Sequence, residues 1–235
     1  MPTERSSAQG RLIFDLPEGG GRLSFAQGDL DQWAEHLTWC YRLLGVSDGV
    51  TMAVQDFGTS PLAFLGSALL MPTLHAGVAE RLGARFLCLD ASTEKVTLTP
   101  ALLRQVAVDV LVVRHDVVDL LLAVSRQAGV EIDDARRTVV VALGRSSAAF
   151  RPGKNWRYLL AVETALLLAP KCARCDSFHL RAGFYEVHDG RISNLRLPGA
   201  QSAVIAWLDP GAARRGGCDL GADDLLLRAR RDTRN

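Results

Sequence analysis

The chain has 235 residues, 48% of them hydrophobic and 23% charged, which is enough apolar material for one large domain or one with a small appendage. A formal net charge of +1 removes the electrostatic case for a nucleic-acid partner. The most apolar run, Val106 to Val124, is interrupted by Arg114, His115 and Asp116 and does not read as a membrane span.

Residues 1–27 read as a flexible lead-in, mostly polar and Gly-rich, with no apolar core of a signal peptide. The expectation is a cytoplasmic chain, in which five cysteines are thiols or metal ligands rather than a disulfide framework. Asp29 to Leu44 carries Leu30, Trp33, Leu37, Tyr41 and Leu44 at helical spacing, with Asp29 as N-cap. A strand–helix alternation follows. "VTMAV" (50–54) reads as a strand, Ser60 to Leu82 as a helical segment, and "RFLCLD" (85–90) as a strand. "TPALLRQV" (99–106) reads as a helix capped by Thr99, and "VDVLVV" (108–113) as a buried strand. His115 to Ala128 reads as a helix with His115 and Asp116 at its start, and "TVVVALG" (138–144) as a fourth strand. This alternation predicts an α/β fold, a mainly parallel sheet with flanking helices over residues 28–150.

After Gly144 the pattern changes. "RSSAAFRPGKN" reads as a loop and Trp156 to Leu168 as a helix or buried segment. Residues 151–235 read as a smaller β-rich portion containing "SFHLR", "GFYEVHDG", "ISNLRL" and "SAVIAWLD", with a disordered tail. Within it, Cys172-x-x-Cys175 followed by His179 has the spacing of a closed tetrahedral metal site, and Cys218 is the candidate fourth ligand. Reduced, unpaired thiols are the alternative. A redox C-x-x-C is disfavoured because no strand leads into a helix N-terminus there. Cys40 and Cys88, in apolar surroundings, read as buried thiols.

Asp56, Phe57, Gly58, Thr59 and Ser60 follow a strand and precede a helix, where parallel sheets bind ligands; an ordinary βα turn is the alternative. His75 reads as a core histidine or a residue near that pocket.

The ordered segments "DLDQWAEHLTWCYRLLGVSDG", "AERLGARFLCLDAS", "VVALG", "ETALLLAPKCARCDSFHLRAGFYEVHDG" and "SAVIAWLDPG…CDLG" resemble the phenylacetate-CoA ligase-like branch of the adenylate-forming enzymes. The resemblance implies an N-domain-like core in which Asp56, Phe57, Gly58, Thr59, His75 and the strand end at Leu143 to Arg145 lie by an acyl pocket. It also implies a zinc site of Cys172, Cys175, His179 and Cys218, clipping the β-rich portion. The ATP contacts depart from the family pattern. Gly19, Gly20 and Gly21 stand where a hydroxyl-rich phosphate loop is expected. "LLAVE" keeps only Glu163 of the adenine and magnesium motif, Ala206 and Gly211 replace the Arg and ribose-binding Asp, and the last lysine is Lys171.

The resemblance therefore implies a truncated, non-adenylating relative that binds a small acyl or aromatic molecule, free or linked to CoA or a carrier, in a biosynthetic pathway. Zinc is expected as a structural cofactor, and ATP, nucleic acid and membrane are not expected. A homodimer or hetero-complex fits the reading. The alternatives are one subunit of a split ligase, a zinc-dependent hydrolase or cyclase, and a purely structural or regulatory subunit.

Overall fold

Three buried runs, two of them Val-rich, set the centre of the molecule. In this computed structural model, which describes residues 12–15, 22–71, 73–145, 150, 154–197, 200–215, 218–220 and 223–230, strands β3 (Thr51–Gln55), β5 (Val110–Arg114) and β6 (Thr138–Leu143) are almost wholly buried. They lie parallel and in register, with Val112 between Val54 and Val140. Branched side chains buried on both faces are what a sheet covered on both sides requires. β4 (Arg85–Leu89) forms one edge, next to β3. At the other end β7 (Trp156–Val162) runs parallel to β6, and β8 (Leu167–Pro170) closes the sheet antiparallel. The order is β4-β3-β5-β6-β7-β8.

The segment Trp156 to Leu168, read as a helix or buried run, is therefore a strand pair. A 3-10 turn at Glu163–Ala165 and Leu166 in the left-handed region (φ 42°) reverse the chain. The parallel sheet thus extends beyond residue 150.

The long helix α1 (Gln27–Leu43) buries Leu30, Trp33, Leu37 and Tyr41, and Leu44 just past its end, as their spacing predicts. Its cap differs from expectation. The helix starts at Gln27, and Asp29 sits in the first turn, where its carboxylate accepts the Ala26 N–H at 2.8 Å. The predicted helix from Ser60 to Leu82 is instead two short ones, α2 (Pro61–Phe64) and α3 (Val78–Leu82). Between them the chain folds back, with Val78 N–H on the Leu65 carbonyl (3.0 Å) and Ala79 N–H on that of Gly66 (2.8 Å). Glycine permits this: a Cβ on Gly66 would collide with the Phe86 ring, and one on Gly77 would stand 2.6 Å from Ser67 Cα.

Short α4 (Thr93–Val96) and α5 (Thr99–Gln105) pack against α6 (Val118–Gln127). Thr99 is not the cap of α5 but its first residue, and its hydroxyl donates to Gln55 Oε1 at 2.8 Å. His115 and Asp116 precede α6 in a turn. Cys40 is buried as expected, whereas Cys88, on edge strand β4, is exposed.

In the C-terminal part, β9 (Phe178–Leu180) and β12 (Leu208–Arg215) flank β13 (Leu225–Ala229) antiparallel. β10 (Tyr185–His188) and β11 (Arg191–Asn194) form a hairpin around Asp189 and Gly190, both at positive φ. "SAVIAWLD" is a strand only from Leu208, because Ala203 makes an isolated bridge to Ile192. The lead-in contains a hairpin of β1 (Leu12–Asp15) and β2 (Arg22–Phe25). No helix among the described residues is long and apolar enough to cross a membrane.

Candidate ligand cleft and metal centre

From β3 the chain passes to β4 on one side of the sheet and then to β5 on the other. A crevice opens at the carboxyl ends of strands where winding reverses in this way. A cleft of about 790 Å³ lies there. Asp56, Phe57, Thr59 and Ser60 line it from the end of β3, Arg114 and His115 from β5, Gly144 and Arg145 from β6, and Glu163 and Thr164 from β7. Pro61, Leu62, Ala161 and Leu168 supply apolar wall.

Arg114 ties these strand ends together. Its Nε and Nη2 donate to Asp116 at 3.1 and 2.9 Å, and Nη1 donates to Glu163 at 3.1 Å and Asp56 at 3.4 Å. Asp56 is 3% exposed and also accepts from Ser60 Oγ at 2.5 Å and the Phe57 N–H at 2.8 Å. Burial pushes the Asp56 carboxyl above the usual range, against the hydrogen bond from Ser60 and the charge of Arg114. Burial and the nearby Asp56 charge push Glu163 up as well. Burial opposes the charge on Arg114, but Asp116, Asp56 and Glu163 more than restore it. The guanidinium stands 5.0 Å from the centre of the half-exposed Phe57 ring. The His115 ring packs on Gly144, where an added Cβ would meet Cε1 at 3.0 Å.

Of the residues singled out in the sequence, the fold brings Asp56, Phe57, Thr59, Ser60, Gly144, Arg145 and Glu163 into one cleft. Gly58 sits in the turn between them but does not line it, and neither does His75. His75 is exposed and held by α1, with Nδ1 2.5 Å from Asp31 Oδ2 and its N–H on Oδ1 at 2.9 Å. Ala206 precedes β12 and Gly211 lies within it. Gly19, Gly20 and Gly21 are outside the described residues.

Sequence reasoning missed Arg114, which it took only as an interruption of the apolar run from Val106 to Val124. The available signal was a guanidinium directly after four buried apolar residues of a parallel strand. It also missed His36, buried inside α1 with Nε2 3.0 Å from the Leu168 carbonyl and 3.2 Å from the Tyr185 hydroxyl. Burial lowers its pKa to about 3, so the ring is neutral and acts as core.

The second cluster lies in the C-terminal part. Cys172 and Cys175 flank the turn after β8, His179 is on β9, and Cys218 is in the connection from β12 to β13. Their ligand atoms all lie within 4.8 Å of one another. Cys172 Sγ is 3.9 Å from Cys218 Sγ, and Cys175 Sγ is 3.2 Å from His179 Nε2. The Arg174 N–H points at Cys172 Sγ (3.4 Å), and Asp224 Oδ2 takes His179 Nδ1 at 3.0 Å. With Nδ1 engaged by the carboxylate, Nε2 is presented to the sulfurs. Such a set can hold a metal ion.

The backbone matches solved structures of 2-hydroxyisobutyryl-CoA ligase. The open conformation in complex with 2-HIB-AMP and CoA gives a TM-score of 0.61 at 12% identity, over 83% of this chain and 46% of that one. The fold is adenylate-forming-like. The postadenylation state with R3-HIB-AMP gives 0.60 at 11% identity, over 83% and 45% of the two chains. The chain thus spans less than half the length of these ligases. No protein-family model and no curated sequence matches it.

Proposed function

We propose that the chain binds a small acyl or aromatic group in the cleft at the ends of β3, β5, β6 and β7, and does not adenylate it on its own. The observation that carries this is the state of Arg114. Adenylation needs free cations and a metal-binding carboxylate to neutralise the triphosphate and the charge developing at its α-phosphate. Here the central cation is enclosed by Asp56, Asp116 and Glu163, and Glu163, all that the sequence keeps of the adenine and magnesium motif, is paired with it. Ala206 and Gly211 offer neither an arginine nor a ribose-binding carboxylate. What the cleft does offer is an apolar wall, an aromatic ring and a few polar groups, the usual make-up of a small-molecule site. The 2-HIB-AMP and CoA bound by the neighbours support an acyl group, free or CoA-linked, as the occupant.

In the same reading Cys172, Cys175, His179 and Cys218 hold zinc. Two sulfurs bound at about 2.3 Å to one tetrahedral centre stand about 3.8 Å apart. The 3.9 Å between Cys172 and Cys218 fits this without rearrangement. Four protein donors leave no open position, so the ion would clip the turn after β8 to the β12–β13 connection rather than act on substrate.

Titration calorimetry with aryl and alkyl acids and their CoA thioesters tests the cleft. Micromolar to millimolar binding of some of them, with no AMP released from ATP and free acid, is expected. AMP release by the isolated chain would overturn the non-adenylating half, and no binding across the panel would overturn the cleft assignment.

A further inference from the structure

The four donors of the cysteine–histidine cluster are not equally sheltered. Cys172, His179 and Cys218 are 1%, 0% and 6% exposed, whereas Cys175 is only partly buried. Asp176, in the left-handed region at φ 53°, turns the chain directly after it, so that Ser177 to Leu180 are buried while Cys175 stays at the rim. A second cavity, of about 260 Å³, lies there between Cys175, Asp176, Arg228 and Ala229. It is roomy enough for water and a small solute, and neither Cys172, His179 nor Cys218 lines it. Cys172 is also fastened from within, its Sγ facing the Arg174 N–H at 3.4 Å and its own N–H on the Ser177 carbonyl at 2.8 Å.

We propose that Cys175 is the oxidation site of this centre, the sulfur at which a peroxide opens the cluster and frees its ion. The proposal rests on the reading that Cys172, Cys175, His179 and Cys218 hold zinc. Among thiolates of one cluster, access decides which is attacked, and a peroxide entering the cavity meets Cys175 first. The Cys175 sulfur attacks the O–O bond and takes one oxygen as a sulfenic acid, and the other oxygen leaves as hydroxide. The thiolate of Cys172 or Cys218, each with Sγ within 4.8 Å, then attacks the Cys175 sulfur. The S–O bond breaks and a second hydroxide leaves. Two thiolates have lost two electrons to form one disulfide, and one peroxide with two protons has become two waters. The disulfide withdraws two of the four donors, and His179 with one remaining cysteine is too small a set for a closed tetrahedral site. The turn after β8 and the β12–β13 connection then lose their metal link.

The chain carries its own reference thiols for a test, exposed Cys88 and buried Cys40. The full-length protein is assayed for zinc and then treated either with limiting iodoacetamide or with hydrogen peroxide. Peptide mass mapping locates the products, and a chromogenic chelator follows released zinc. By initial rates, Cys175 is expected to alkylate within about 10-fold of Cys88, and Cys172 and Cys218 on the order of 10-fold more slowly than Cys175. Peroxide is expected to release zinc in step with a disulfide that contains Cys175, and a thiol reductant with added zinc to restore the centre. Equal labelling of the three ligand cysteines, a Cys172–Cys218 disulfide in place of one at Cys175, or zinc retained while Cys88 is oxidised each overturns the proposal and leaves the zinc reading intact. A protein that carries no zinc and takes up none when supplied removes the zinc reading and the proposal together.

Discussion

The cleft and the cysteine–histidine cluster are both polar sites set against an apolar core, but they are assembled by opposite rules. The cleft draws hard charges from four strand ends far apart in sequence, so its geometry exists only once the sheet has formed. The cluster draws three of its four soft donors, Cys172, Cys175 and His179, from one short stretch of chain, so much of it exists in a single local turn. The cleft carries partly compensated charges that strain against burial. The cluster has donors already at bonding separations. Stability should therefore depend on pH at the first site and on metal at the second.

The largest test is Cys172→Ser combined with metal analysis. One zinc per chain is expected in the native protein, and none in the variant. Loss of the clip should lower stability by more than about 4 kcal/mol, with unfolding centred on β9, β12 and β13. Hydrogen exchange resolves this, and unchanged protection of β13 would contradict it.

Arg114→Gln comes next. It leaves Asp56 buried beside Glu163 without their shared cation, at a cost of about 3–5 kcal/mol at neutral pH. The sign with pH follows from the raised carboxyls. The folded state binds their protons more readily than the unfolded chain, so stability falls as pH rises through the window above the usual carboxylate range. In the variant that window widens, so the deficit should shrink on acidification toward about pH 5. Denaturant unfolding across pH measures it, and a pH-independent deficit would contradict it.

Asp224→Asn is a milder change at the other site. It weakens the carboxylate that orients His179 and should cost roughly 10- to 100-fold in zinc affinity, read by chelator competition, with the apo protein little affected. Smallest is Gly144→Ala. The added methyl needs His115 to move by a few tenths of an ångström, so a stability change within about 1 kcal/mol is expected. Weakened ligand binding at nearly constant melting temperature would show that the position of the His115 ring in the cleft wall matters to the ligand.

The same contrast governs how much was legible beforehand. The cluster was visible because metal spacing is local. The strands β5 and β6 were visible because nearly unbroken Val-rich runs leave little choice but a buried parallel strand, and β3 because its short apolar stretch opens the strand–helix alternation. β7 was not, since "WRYLLAV" is short and apolar without alternation, which helix and strand share. The break in Ser60–Leu82 was hidden because the clash that demands glycine at position 66 comes from Phe86, on the next strand. Asp56 and Glu163 were found singly, but their coupling through Arg114 depends on the order β3-β5-β6-β7 in the sheet, which no local pattern encodes. His75 was misplaced for the same reason: its partner Asp31 is 44 positions away.

The antiparallel return of β8 has one more consequence. β7 and β8 carry the chain from Glu163 at the cleft back past Leu159 to Lys171, whose N–H meets the Tyr158 carbonyl beside the start of the cluster. At about 3.4 Å of rise per residue, the two sites stand on the order of 15–20 Å apart along one ribbon. They share no side chain. Free-energy changes from damage at each should then simply add, within about 0.5 kcal/mol, and a double variant that departs from the sum would reveal that the ribbon transmits strain from one end to the other.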